Sequence, residues 1–348
     1  MKIVVLAGGI STERDVSLSS GRGVYNALKE RGHQVILLDV FLGYEGDPGN
    51  IFELDRDWVK DVAPVSEVAP DIEKIKASRK KPSNILFGDH VIEICQMADI
   101  VFMALHGDCG ENGKVQAVFD LFGIKYTGTD SFSSALAMDK SITKQLFLQN
   151  GVPTPASHLL TGKDDPYKPE FPCVVKVSGG GSSVGVYIVQ NEKEYADAVQ
   201  DAFRYDAKVL VEQYIKGREF TDCVIEGKPY PVVEIEPVSG FYDYKNKYQA
   251  GSTIETCPAD LPSEVTKRMQ QHAEEACAAV SIQSYARVDF MLDTVTMEDY
   301  ALEVNTLPGM TPTSLMPQEA QAIGYSFPQL CEWILNVSMK KYANTERN

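Results

Sequence analysis

The chain has 348 residues, 44% of them apolar and 24% charged, and carries a formal net charge of −16. That length allows two or three domains, and the composition is that of a globular protein, not a fibrous or disordered one. An acidic balance of this size disfavours nucleic acid and anionic membrane surfaces as partners, so an anionic ligand must bind in a local pocket that overrides the global field.

Ile3 to Ala7 is a compact β-rich run, and Gly8-Gly9 turns it into a helical pattern from about Val16 to Arg31. Gly32 stops that helix and Val35 to Val40 resumes as a strand. The β-turn-α-β order predicts the opening of a parallel, doubly wound sheet. The apolar start is too short for a signal peptide, and no later stretch could span a bilayer. Residues 41–90 are irregular and read as an insertion or as a helix-and-strand pair. Ile100 to Leu105 predicts a buried strand, Lys114 to Phe122 a helix and Ile124 to Thr127 a short strand, with a first domain ending near Gly128.

A single helix is predicted from Ser133 to Asn150, closed by Gly151 with Pro153 and Pro155 beyond it. Residues 161–172 read as a surface loop. Cys173 to Val177 and Val184 to Val189 read as strands joined by a glycine-rich loop, followed by an acidic helix from Glu192 to Phe203 and a strand from Val209 to Gln213. Antiparallel runs at 219–226 and 230–236, an aromatic loop at 241–250, a helix at 262–280, strands at 286–292 and 300–304, and a helix after Phe327 complete the chain. Seven scattered cysteines without a CxxC pair predict reduced thiols and a cytoplasmic protein.

Two segments carry chemistry. In Cys173-Val-Val-Lys-Val-Ser-Gly-Gly-Gly-Ser-Ser-Val-Gly185, three consecutive glycines let backbone amides approach an anion, with the Lys176 ammonium nearby. Taken alone, the same loop suits a β-hairpin turn equally. It is not a Walker A loop, because the lysine precedes the glycines, and Gly8-Gly9 lacks the GxGxxG of a dinucleotide site. In the second segment, Arg287 and Asp289 share one strand face, as do Glu303 and Asn305. Asp289, Glu303 and Asn305 are hard oxygen donors of the kind magnesium takes. Together the segments predict a metal–nucleotide site.

Seven motifs in order give the chain a resemblance to the ATP-grasp enzymes, and within them to the D-alanine–D-alanine ligases. They are Gly8-Gly-Ile-Ser-Thr-Glu-Arg-Asp-Val-Ser-Leu18, Ala104-Leu-His-Gly-Asp-Cys-Gly-Glu-Asn-Gly113, Ser134-Ala-Leu-Ala-Met-Asp-Lys140, the glycine loop, Glu212-Gln-Tyr-Ile215 with Glu219-Phe-Thr221, Phe241-Tyr-Asp-Tyr-Lys-Asn-Lys-Tyr248, and the two metal strands. Residues 41–95 resemble the family least. The resemblance implies an α/β protein: a Rossmann-like parallel-sheet domain (1–128), then a two-domain α+β ATP-grasp fold, divided into 129–212 with the glycine loop and 213–348 with the aromatic loop and metal site.

It also implies roles. ATP would phosphorylate one D-alanine, and the amine of a second would attack the acylphosphate. Lys140, Lys176, Ser183 and Lys247 match residues that hold ATP phosphates. Glu212, Tyr214, Ile215 and Glu219 match the adenosine pocket. Asp289, Glu303 and Asn305 match ligands of two magnesium ions, which manganese could replace. Arg287 and the Gly309 amide match the oxyanion stabilisers. Glu13 matches the residue that binds the first D-alanine's ammonium, latched to Ser182 and Tyr248, while His106, Ser314 and Leu315 match further substrate contacts. The 241–253 loop would close over the acylphosphate. Glu111 and Lys114 read as a capped helix start and stay outside the set.

Two departures from the family pattern are Val177, where proline is usual and whose presence predicts a looser strand end, and Gly179-Gly180, where bulkier polar residues are common. A homodimer through the first domain is a further implication. D-Serine or D-lactate as acceptor, and a nucleotide-binding relative without turnover, are the competing readings. Tyr248 argues against lactate, because ester-forming relatives tend to carry Phe or His near this position.

Overall fold

The computed structural model describes residues 1–63, 65–66, 70–80, 85–181, 183–238, 251–311 and 314–343. Strands β1 (Lys2–Ala7), β2 (Gln34–Asp39) and β3 (Ile100–Met103) form a parallel sheet in the order β2-β1-β3. A parallel sheet is covered on both faces, and β1 accordingly reads as an unbroken apolar run. Ile3, Val5 and Ala7 pack with Val24 and Leu28 of helix α1 (Arg14–Glu30), while Val4 and Leu6 face the opposite core.

The irregular stretch 41–90 holds a short 3₁₀ turn at Ile51–Glu53 and helix α2 (Ile72–Ala77), followed by α3 (Val91–Gln96). Its described residues contain no strand, only an isolated bridge from Gly43 to Asp89, so the predicted helix-and-strand pair is half right. Helix α4 (Asp108–Glu111) precedes α5 (Lys114–Phe122), whose Val115 and Phe119 fill the core beneath Val4 and Leu6. The strand expected at 124–127 reduces to one bridge between Val101 and Tyr126.

The helix predicted from 133 to 150 is two helices, α6 (Ser131–Met138) and α7 (Lys140–Gln149). Asp139 divides them in an extended conformation and caps α7, accepting from the Ser141 and Ile142 amides. Burial alone would raise its carboxyl pKa, but bonds from Lys208, Ser141 and Ser178 outweigh it and hold the group well below the usual carboxylate range. The break makes Lys140 the first residue of a helix that starts beside the glycine loop, with its amide donating to the Ser178 carbonyl at 3.0 Å.

Strands β4 (Ser157–Leu160), β5 (Cys173–Val177), β6 (Val186–Val189) and β7 (Val209–Gln213) form an antiparallel sheet in the order β4-β7-β5-β6, backed by α8 (Glu192–Ala202). The end of β5 is not loose. Val177 has an N–H that proline would lack, and it donates to the Gly185 carbonyl at 3.2 Å.

The third sheet contains β8 (Gly217–Ile225), β9 (Lys228–Pro229), β10 (Val233–Pro237), β11 (Thr253–Thr256), β12 (Tyr285–Asp293) and β13 (Asp299–Asn305). Its order is β11-β10-β8-β12-β13, with β9 paired to β8. Helix α9 (Ser263–Ala279) lies across one face, where Met269, Ala273 and Ala276 meet Phe220, Ala286, Val288 and Phe290. Two-residue periodicity then leaves Arg287, Asp289 and Met291 to the other face. After α10 (Leu315–Ala322), α11 (Phe327–Lys340) returns to the first sheet, packing Leu330, Ile334 and Leu335 into the α1 side of its core.

Candidate active site

Between the second and third sheets lies a cleft of about 790 Å³. Lys140, Lys176, Ser183, Glu212, Tyr214, Ile215, Glu219, Asp289 and Glu303 line it, together with Gly180 and Gly181 of the glycine loop. Residues more than a hundred positions apart in the chain are thereby gathered around one space.

The acidic wall depends on a β-bulge. Along β12 and β13, Arg287 pairs with Asn305 and Asp289 with Glu303, but Phe290 pairs with Ala301, so Leu302 is the extra residue. Ala301 faces the α9 core. Strict alternation from Ala301 would bury Glu303 beside it; the additional residue turns Glu303 and Asn305 to the cleft side instead. Arg287 donates to both Asp289 oxygens, from Nε and from Nη2, each at 2.8 Å. Asn305 Nδ2 adds a bond to Asp289 Oδ2 at 2.9 Å, and the Thr221 hydroxyl one to Oδ1 at 2.6 Å.

Lys140 Nζ stands 2.9 Å from Glu303 and 3.0 Å from the Gly180 carbonyl, which ties the loop to the acidic wall. Burial works against its charge, yet Glu303, helped by Glu212 and Glu111, outweighs burial and raises its pKa. On the opposite wall, Glu212 Oε1 receives Lys176 at 2.9 Å and Lys144 at 3.1 Å. Burial alone would raise the Glu212 pKa, and the two ammonium groups reverse that and lower it. Gly180 sits at φ +112°, a conformation L side chains rarely adopt, so this position of the loop requires glycine.

Glu13 is buried at the start of α1 without a side-chain capping bond. A Cβ on Gly107 would lie 2.6 Å from its Oε2, and one on Gly181 3.1 Å, so the first domain's acid and the glycine loop close on each other. His106 is 5% exposed, with Nδ1 on the Leu307 carbonyl at 3.1 Å and Nε2 on the Ser20 hydroxyl at 3.0 Å. A carbonyl can only accept, so Nδ1 carries the proton and Nε2 accepts. Burial lowers the His106 pKa despite the nearby Glu13 and keeps the ring neutral. Both ring nitrogens are engaged internally, and His106 is not among the residues that line the cleft. Gly309 packs where a Cβ would meet Ser314 Oγ at 2.7 Å, and Ser314 and Leu315 begin α10.

The profile described as D-ala D-ala ligase N-terminus matches residues 2–129, and that described as D-ala D-ala ligase C-terminus matches residues 162–336. The chain belongs to the D-alanine–D-alanine ligase family. It is 43% identical to the D-alanine–D-alanine ligase of Pediococcus pentosaceus, over 98% of this chain and 99% of that protein. Against that of Lacticaseibacillus casei it is 42% identical, over 99% and 97%. Among solved structures it resembles the D-alanine–D-alanine ligase of Bacillus anthracis at a TM-score of 0.75 and 31% identity, covering 99% of both chains. The VanG D-Ala:D-Ser ligase of Enterococcus faecalis gives 0.73 and 29%, covering 97% of this chain and 99% of that one. The fold is therefore the ATP-grasp α/β architecture expected of the family.

Of the residues that the family resemblance singles out, Ser182, Lys247 and Tyr248 lie outside the described residues, as does most of the closing loop. Three residues outside the expected set contact or neighbour its members: Thr221, quoted above only within a motif, Lys144, and Glu111, read above as a helix start. Thr221 holds Asp289. Lys144 was hidden although its i+4 spacing from Lys140 puts both on one helix face. Glu111 is more than a helix start: it accepts from the Gly107 amide at 2.7 Å, and burial, then the charge of Glu13, push its carboxyl up to about 8. Lys114 is exposed at the start of α5, as the helix-start reading had it.

A second pair of acids lies on and behind β8. Glu319 accepts from the Cys223 amide at 2.8 Å and Asp222 from the Tyr230 amide at 3.0 Å, while their other oxygens, Oε1 and Oδ2, have no hydrogen-bond partner among the described residues. Burial pushes Glu319 up to about 8 and Asp222 well above the usual carboxylate range. The folded chain thus keeps protons that the unfolded chain releases near 4.5 for Glu319. Their contribution is fully present below that value and is lost as pH rises through about 8. Glu319→Gln should therefore flatten the pH dependence of the melting temperature between about pH 5 and 8. Melts in which wild type and variant differ by the same amount at every pH would refute it.

Proposed function

We propose that the chain joins two D-alanines into D-alanyl-D-alanine at the expense of ATP, through an acylphosphate, to supply peptidoglycan synthesis. The observation that carries the reading is the pairing of Asp289 with Glu303 across β12 and β13, in the cleft that also holds Lys140 and Lys176. Hard oxygen donors on one wall and ammonium groups with a glycine loop on the other suit a metal-bound triphosphate.

Asp289, Glu303 and Asn305 would hold magnesium, two ions in this reading, with manganese able to substitute. Among the described residues no group of three His, Cys, Asp or Glu could hold a metal unaided. Once bound, magnesium neutralises phosphate charge and draws electrons from the transferring phosphoryl group.

The chain's own groups do the rest. Lys140 and Lys176 steady the phosphates, with Ser183 and, from the closing loop, Lys247. Glu212, Tyr214, Ile215 and Glu219 enclose the adenosine. Glu13, closed in by Gly107 and Gly181, receives the ammonium of the first D-alanine and turns its carboxylate toward the γ-phosphate; His106 neighbours Glu13. Arg287 and the Gly309 amide stabilise the oxyanion that forms when the second amine attacks. Ser314 and Leu315, at the start of α10, would meet the second substrate's carboxylate. Ser182 and Tyr248 complete the latch on Glu13, and loop closure keeps water from the acylphosphate. A three-domain organisation at 1–128, 129–212 and 213–348, a homodimer through the first domain and a cytoplasmic setting complete the proposal. All seven cysteines are free thiols, which supports a reducing compartment, and no helix among the described residues is long and apolar enough to cross a membrane.

ADP release coupled to a reporter, run with a panel of D-amino and D-hydroxy acids, tests this. D-Alanine should drive magnesium-dependent ADP release, with D-alanyl-D-alanine detected by mass. ATP binding without turnover, or turnover that prefers D-lactate at neutral pH, would replace the reading with one of its competitors.

A further inference from the structure

Lys144 lies one helical turn beyond Lys140 on α7 and is 2% exposed, but it does not line the cleft. Its ammonium donates to Thr154 Oγ1 at 2.6 Å and to the Pro155 carbonyl at 3.1 Å, and forms an ion pair with Glu212 Oε1 at 3.1 Å. Each acceptor leads to the site. Glu212 Oε1 is the atom that also receives Lys176 at 2.9 Å. Pro155 is part of the cleft wall. The Thr154 hydroxyl donates onward to the Ala301 carbonyl at 2.7 Å, on the strand that carries Glu303 two positions later.

Placing a lysine here is costly. Burial pushes its pKa down to about 8 even with Glu212 beside it. A methionine would fill similar space without that desolvation, so packing alone gives no reason for an ammonium group.

We propose that Lys144 is a positioning residue for ATP: by sharing one carboxylate oxygen of Glu212 with Lys176, it loosens the Lys176–Glu212 ion pair and leaves the Lys176 ammonium able to turn to the phosphates. Two cations on one acceptor weaken each other's hold on it. With Lys144 removed, Glu212 and Lys176 become a single buried pair, whose attraction is strong in a low-dielectric wall. Lys176 is then held more tightly on the Glu212 oxygen it already contacts at 2.9 Å and turns to a phosphate less readily, and Thr154 loses the donor that fixes its bond to β13. The proposal rests on the ATP-dependent reading above.

Lys144→Met and Thr154→Val test it, with ATP affinity measured by calorimetry and KM measured separately for ATP and D-alanine. Lys144→Met should weaken ATP about 10- to 100-fold, the range for losing a hydrogen bond to a charged partner, with kcat and the D-alanine KM within threefold of wild type. Thr154→Val keeps shape and fold and should weaken ATP about three- to tenfold. A merely structural lysine would lower the melting temperature and leave both KM values alone, or move them together. Either pattern, or ATP affinity within twofold of wild type in both variants, overturns the proposal. If Lys144→Met does not fold, Thr154→Val decides by the same criteria. Wild-type protein that fails to bind ATP would instead sink the proposed function.

Discussion

Arg287→Met is expected to lower kcat by about 100- to 1000-fold while ATP affinity stays within about threefold, because the guanidinium is proposed to act on charge that appears only in the transition state. The structure gives the variant a second signature. Arg287 holds both oxygens of Asp289 in a two-pronged contact at 2.8 Å, and the two side chains are 14% and 8% exposed. Breaking such a pair leaves a nearly buried carboxylate with only Thr221 and Asn305, at a cost of about 3 kcal/mol. Urea unfolding should therefore show a lower midpoint alongside the kinetic loss. Excess magnesium should recover part of the stability, since a cation beside Asp289 replaces the missing charge. A variant that keeps kcat within threefold of wild type would remove Arg287 from the oxyanion role.

Glu303→Gln should raise the magnesium concentration for half-maximal activity by at least about 10- to 100-fold, since even groups that merely orient a metal ligand are worth that much. Lys140 makes the variant informative a second way. In the wild type Glu303 is the largest influence opposing burial and raises the Lys140 pKa; without it, burial is less opposed and the ammonium gives up its proton at lower pH. ATP affinity should accordingly decline at a lower alkaline pH in the variant. Direct binding of manganese, followed by its spin resonance with ATP present, separates metal loss from catalytic loss. Unchanged magnesium dependence would mean that Glu303 is not a ligand.

Much of this site was legible because it follows short periods. Arg287, Asp289, Glu303 and Asn305 each sit two positions from a partner, and strand geometry turns such spacing into a shared face. The apolar run at 3–7 likewise announced a strand covered on both sides. What escaped notice depended on breaks in period or on distant partners. Asp139 interrupts a helical pattern without glycine or proline, and its capping role is visible only once Ser178 and Lys208 are beside it. Glu111 reads as an ordinary helix acid until folding closes Glu13 and Gly107 around it. The return of Phe327–Lys340 to the first sheet is a contact across more than 300 residues, which no local pattern encodes.

The unpaired Leu302 makes β13 a strand with two allegiances, its early residues committed to the hydrophobic interior and its last ones to the chemistry. Deleting Leu302 would restore regular alternation with Glu303 still opposite Asp289 and Asn305 still opposite Arg287, and would take one aliphatic side chain out of the cleft lining. What the bulge adds is therefore an apolar surface set directly beside the acids, on the same wall, where a ligand with both an uncharged ring and an anionic tail finds a place for each.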